Sequence, residues 1–366
     1  MSGTGGSLPV LGARALGRAL LARQHLLARS ATTPAVMLGH LVGLQAQAAP
    51  EPPYLGLWSR LEGFHPSELS ELIERREAVR IALHRATIHL VTAEDCLALR
   101  PLLQPVQDRG FAGNWGKRLG GEDPAAVHAR GRVLVEQEPR TFQQLGQLLA
   151  PDFPRAEPAA LAQAVRTGLA LVQVPPRGLW GRGGPAAHTT AEHWLGRRLD
   201  PAPSVERLVL RYLAAFGPAS AADVRKWCGL TGLGPVLTRL APQLELFRDE
   251  RGRTLYDLPQ APRPPEDTPA PVRLLAPFDN LLLSHDDRTR VLPEEYRPRI
   301  MTQNGIVLGS VLVDGLVAGS WRSDGGTLRI RPFAPLGRQA RAGLVDEGER
   351  LLAFTGGERL VVDQED

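Results

Sequence analysis

204-SVERLVLRYLAAFGPASAADVRKWCGLTGLGPVLTRLAPQLELFRDERGRTLYDL-258 decides the fold of this chain. Ser204 is placed to cap a helix whose apolar positions, Val205, Leu208, Val209, Tyr212 and Leu213, recur at three- and four-residue spacing. Gly217-Pro218 turns the chain, and residues 221–228 and 233–240 read as two further helices. Short apolar and aromatic runs then take over at 244–247 and 254–258, with the basic tip Asp-Glu-Arg-Gly-Arg between them. Three helices followed by a hairpin form the winged variant of the helix-turn-helix.

Two looser copies precede this one. Residues 11–29 carry leucine and alanine at helical spacing. A second helix is expected after Thr33-Pro34, running through Met37, Leu38, Leu41 and Leu44 to Gln47, where Pro50, Pro52 and Pro53 end it. Helices around 57–61 and from Pro66 to about Arg76 lead to a hairpin at 79–84 and 87–91. The next copy has helices at 124–138, from Thr141, and at 158–169, then a strand at 170–174 and the wing-like segment PPRGLWGRGG. Beyond the proline-rich linker 259–271 the chain turns to strands. Those expected at 272–275 and 280–284 precede a hairpin-like turn at His285–Arg288. A meander at 306–313, 316–321 and 327–332 follows, turned at Asp314-Gly315 and Asp324-Gly325-Gly326, and a helix near 336–353 ends it. The expected fold is α+β, with three tandem winged-helix modules (8–115, 116–200 and 201–260) and a C-terminal β-rich, barrel-like domain at 272–366.

Composition narrows the function. The chain has 366 residues, 43% hydrophobic and 22% charged, with no apolar run long enough for a membrane span and no secretory signal pattern. A cytoplasmic protein is expected. Cys96 and Cys228 stand apart, and no cysteine–histidine spacing suits a metal, so neither metal nor cofactor is expected. Of 43 basic residues only Lys117 and Lys226 are lysine. Arginine pairs well with phosphate but cannot act as an amine nucleophile. Winged helices and a net charge of +4 point to duplex DNA. On fold alone this leaves an enzyme competing with a non-catalytic transcription regulator or DNA-damage-binding protein.

Five patches decide between them. They are Gly43–Ala48 (GLQAQA), Leu83–Val91 (LHRATIHLV), Leu275–Leu283 (LAPFDNLLL), His285–Arg288 (HDDR) and Val313–Arg322 (VDGLVAGSWR). In this order they resemble the winged-helix family of alkylpurine and interstrand-crosslink DNA glycosylases. Gln47 places the chain in its Gln-x-Gln branch, near the azinomycin-resistance type, rather than the Gln-x-Asp branch. The resemblance implies that Gln45 and Gln47 are catalytic. It also implies a DNA-entering hairpin in the later part of the chain, matched here by His285 to Arg288 with Arg290 beyond. Arg85 at the first hairpin turn, flanked by His84 and His89, and Arg322 after Trp321 are further candidate DNA contacts.

The implied chemistry is coherent. Glycosidases ordinarily use two carboxylates. An N-alkylated purine is already cationic and leaves without protonation. What remains is to hold a water near C1′ and stabilise an oxocarbenium-like transition state, which amide oxygens can do. Geometry is the obstacle: residues two apart on a helix point about 200° apart, so the glutamines converge only where the helix ends or distorts. The expected partner is double-stranded DNA with alkylated or crosslinked purines. A monomer that releases base without strand cleavage is expected.

Overall fold

The computed structural model describes residues 7–47 and 51–363. Pro50 and Ala48 lie outside them. Among the described residues there are thirteen strands: β1 (Val10–Leu11), β2 (Leu44–Gln45), β3 (Ala78–Ala82), β4 (Ile88–Thr92), β5 (Leu171–Gln173), β6 (His188–Thr190), β7 (Glu245–Asp249), β8 (Thr254–Asp257), β9 (Arg273–Leu275), β10 (Gly309–Val313), β11 (Leu316–Asp324), β12 (Thr327–Pro332) and β13 (Arg359–Val362). They make three sheets, ordered β2-β4-β3-β5-β6, β1-β7-β8 and β13-β12-β11-β10-β9.

The 204–258 segment folds as its pattern requires. Ser204 accepts a hydrogen bond from Arg207 N at 3.1 Å and caps the helix Val205–Phe216. Ser220 and Asp223 form a reciprocal capping box for Ala221–Cys228. The helix Leu233–Leu240 and the antiparallel pair β7–β8 follow. Neighbouring segments close on this unit: β1 pairs in parallel with β7, and Arg23 from the helix Ala13–Arg23 meets Asp257 in a buried ion pair of 2.6 Å.

The first two helical stretches share one sheet. β3 and β4 form the expected hairpin, and β5, from beyond residue 116, pairs with β3. PPRGLWGRGG joins β5 to β6, with Gly181, Arg182 and Gly183 exposed and the stretch from Gly178 to Trp180 before them packed inward. Leu179 is buried, Tyr54 Oη donates to Gly178 O at 2.9 Å, and Trp180 packs on Tyr54 and Phe354.

The C-terminal sheet corrects two expectations. It is open, with β13 and β9 at its edges, so it is not a barrel. Residues 280–283 form a short helix, Asn280–Leu283, rather than a strand. A run of leucines fits either state; Asp279 decides it by accepting from Leu281 N at 2.9 Å. The meander and its Asp-Gly turn are as expected, with Asp314 and Gly315 both at positive φ. The linker 259–271 lacks helix and strand but is tied down by Arg263, which pairs with Asp257 and Glu245.

One hydrophobic cluster runs from Leu20 through Val91, Leu213 and Trp227 to Leu282 and Val317. Beside it lies a fully buried ion pair, in which Arg60 meets both oxygens of Asp279 at 2.8 and 2.9 Å and Gln24 Oε1 at 3.0 Å. Arg60→Ala leaves Asp279 buried and unpaired and should cost about 3–5 kcal/mol. Arg75, in exposed pairs with Glu71 and Glu77, should cost less than about 1 kcal/mol on the same change. Urea unfolding of the two variants checks the contrast.

Candidate active site

The glutamine segment leaves the helix: Leu44 and Gln45 form a short strand and the chain bends at Gln47. The helix begun at Pro34 ends at His40 instead of continuing to Gln47. Val42 and Gly43 then adopt φ of +54° and +93°, which a helix cannot contain. Valine is strained there. At Gly43 a Cβ would lie 2.5 Å from Val91 Cγ1 and 3.0 Å from Leu90 O, so only glycine fits without displacement. β2 follows, antiparallel to β4, with Gln45 opposite His89, and Ala46 N extends the ladder to Ile88 O at 2.8 Å. The chain is not helical here, so the roughly 200° separation of a helix does not apply; it bends at Gln47.

Three side chains hold this segment by its carbonyls. His84 Nε2 lies 3.2 Å from Val42 O, Asn280 Nδ2 donates to Gly43 O at 2.7 Å, and Arg80 donates to Ala46 O at 2.8 Å. Arg80 is braced in turn on Gln173 Oε1 at 3.0 Å. Gln45 is thereby held with 8% exposure, while Gln47 is exposed. Neither Asn280 nor Arg80 was singled out from sequence, although Asn280 falls inside the LAPFDNLLL patch.

Arg85 joins the pair. From the turn between β3 and β4, at φ +55°, it donates to Gln45 Oε1 at 2.7 Å and to Trp227 O at 2.5 Å. Burial, with a smaller push from Arg288 nearby, brings its pKa down to about 10, so it stays charged at neutral pH. An exposed arginine–phosphate contact was expected at this turn; the guanidinium instead meets protein oxygens.

His84 and His89 are brought to the site but not to its surface. Both are fully buried, their rings 5.0 Å apart edge to face, and His84 packs on Trp227 at 4.1 Å. Burial holds both neutral, His84 well below its ordinary range and His89 at about 3. His285 and Arg290 are corrected likewise. The stretch after Ser284 is no hairpin but packs on the 204–258 unit, with His285 Nε2 3.0 Å from Phe216 O and Arg290 donating to Pro218 O at 2.9 Å. Interior groups bonded to backbone cannot touch DNA in this conformation. Asp287 beside them pairs with Arg251 and Arg253. Arg288 is half-buried and Arg322 exposed.

Arg322 lines an open groove of about 610 Å³ with Phe278, Ile306, Leu308, Trp321 and Glu51. Glu51 starts the helix after the glutamine segment. Among the described residues no cluster of three His, Cys, Asp or Glu side chains could hold a metal ion, and no helix is long and apolar enough to cross a membrane.

The model of the AlkZ-like DNA glycosylases matches residues 38–354. The chain belongs to the AlkZ-like DNA glycosylase family. The matched span holds both glutamines, Arg85 and all of the groove lining except Thr355. The fold is similar to that of the DNA glycosylase AlkZ of Streptomyces sahachiroi, with TM-score 0.80 and 18% identity over 98% of this chain and 100% of that one. No curated protein sequence matches the chain.

The buried histidines of this AlkZ-like chain give a pH dependence with a definite sign. His89 titrates near 3 when folded and about 6.5 when unfolded, so below pH 6.5 the unfolded chain takes up the proton first. Its contribution is complete above about pH 6.5 and is lost toward pH 3, by up to about 1.4 kcal/mol per pH unit. Urea unfolding should give lower stability at pH 5 than at pH 7.5, and His89→Gln should shrink that difference. An unchanged difference would contradict the buried neutral ring.

Proposed function

We propose that the chain is a monofunctional DNA glycosylase that hydrolyses the N-glycosidic bond of cationic N-alkylpurines in duplex DNA. The observation that carries this is the non-helical Gly43–Gln47 segment, clamped by Arg80, Asn280 and Arg85 inside the family match. The C1′–N bond breaks with its electron pair going to the purine, which leaves neutral. The sugar carbon, briefly cationic, takes the oxygen of a water, and the water's proton passes to solvent. Gln47, exposed and without a protein partner among the described residues, is suited to hold that water by its amide oxygen. Positioned dipoles of this kind are worth about 10²–10³ in rate each.

Our reading of the architecture supports duplex binding. The stretches 8–115, 116–200 and 201–260 serve as winged-helix modules and 272–366 as a β-rich domain, with Arg288 and Arg322 as DNA contacts. The protein works as a monomer in the cytoplasm. Bulky or crosslinked adducts suit the open groove better than the snug pocket of most base-flipping enzymes, so unhooking of such adducts, as self-resistance to a DNA-alkylating natural product, is the proposed role. Schiff-base chemistry needs an amine; Lys117 and Lys226 make no hydrogen bond or ion pair with either glutamine among the described residues.

A duplex with one N7-methylguanine tests this. Free base and an intact abasic strand are expected, with borohydride trapping no protein–DNA adduct. Gln45→Ala and Gln47→Ala should each slow release at least about tenfold. No release from methylated or crosslinked duplex would reject the function; release that survives both substitutions would reject the site.

A further inference from the structure

The Arg85–Gln45 contact says more than that two residues touch. A guanidinium has five donors and no acceptor, so the amide atom 2.7 Å from Arg85 must be the oxygen of Gln45. The usual ambiguity between amide oxygen and nitrogen is removed by this partner. Nε2 has no protein partner among the described residues, and it is not among their buried polar atoms left without one. The amide therefore has its oxygen engaged inward and its nitrogen open to solvent.

Arg85 is itself fixed from several sides. Its second terminal nitrogen donates to Trp227 O near the end of the helix Ala221–Cys228, where backbone carbonyls favour a cation. Its own turn is closed by Leu83 N to Thr87 O at 3.0 Å and Ala86 N to Leu83 O at 3.1 Å. Gly229, at φ +86°, lies close against it: a Cβ there would sit 3.5 Å from Arg85 Cα. A fork held this way orients whatever it binds.

Charge decides the use. An amide oxygen already bound to a guanidinium is a weaker acceptor, and a cation beside it does not favour a second cation forming at the sugar. The same polarisation makes the N–H groups better donors. We infer that Arg85 is a positioning residue that holds the Gln45 amide oxygen-inward, so that Gln45 meets the substrate as a hydrogen-bond donor while Gln47 supplies the acceptor. This rests on the proposed glycosylase reading. Gln45 then donates to an acceptor atom of the departing purine as the bond electrons flow onto it, and Gln47 orients the water that closes on C1′.

Single-turnover release from the N7-methylguanine duplex, measured with Kd for the same undamaged duplex, separates the roles. Gln45→Glu keeps an oxygen for Arg85 and deletes the donors; its rate should fall at least about tenfold, with Kd and melting temperature little changed. Near-normal release by this variant would overturn the donor assignment. Arg85→Ala should slow release at least about tenfold in the wild-type background and less than about twofold in Gln45→Ala, because its effect runs through that amide. Arg85→Lys, which keeps the charge without the fork, guards against a variant that does not fold and should fail similarly. Equal losses in both backgrounds, or a loss that falls on Kd and lowers the salt slope by about one, would make Arg85 a phosphate contact and overturn the inference. If the wild type releases base, only the inference is at stake; if it releases none, the glycosylase reading falls and takes the inference with it.

Discussion

Antiparallel pairing of β2 with β4 sets the site, and it depends on a backbone turn that most sequences cannot make. Val42 and Gly43 both sit at positive φ, and Gly43 passes so close to Leu90 and Val91 that a side chain has no room. The strain is held by partners outside the segment: His84 from the β3–β4 turn, Asn280 from the helix after Phe278, and Arg80 from β3. Buried carbonyls that would otherwise lack partners are satisfied, and each bond fixes the glutamine backbone to a different part of the chain. A two-residue strand too short to be stable alone is thereby given one conformation.

Buried arginine explains part of the rest, as an interior crosslink. Arg23 and Arg60 are locked in buried pairs with Asp257 and Asp279, and Arg80, Arg100 and Arg290 donate to backbone carbonyls in the interior. The planar fork reaches several oxygens at once and is less strongly hydrated than an ammonium, which suits it to interior crosslinks between segments far apart in sequence. Among the described residues seven arginines are buried in this way, so part of the chain's positive charge is internal scaffolding. Arg85 belongs to the same pattern, with the difference that one of its acceptors is a side chain at the site.

This accounts for what could be read from the residues. The helices and hairpin of 204–258, the β3–β4 hairpin and the Asp314-Gly315 turn were legible because local caps, periodicity and turn chemistry specify them. The end of the second helix was not. Met37, Leu38, Leu41 and Leu44 continue a helical spacing, and what overrides it is pairing with a strand more than forty residues on. Burial of His285 and Arg290 was equally hidden, since their acceptors, Phe216 O and Pro218 O, lie about seventy residues away. Gln45 and Gln47 themselves were legible through the resemblance; composition alone offered two ordinary glutamines.

The central claim is that Gln47, the acceptor of the two glutamines, stabilises positive charge developing at the sugar. Binding of duplexes carrying a cationic 1-azaribose or a neutral tetrahydrofuran at the abasic position tests it without any turnover. Mimics of a stabilised transition state bind at least about 10²-fold tighter than ground-state ligands. The account predicts a preference of at least about tenfold for the cation, reduced in Gln47→Ala. Equal affinity for the two duplexes would contradict it.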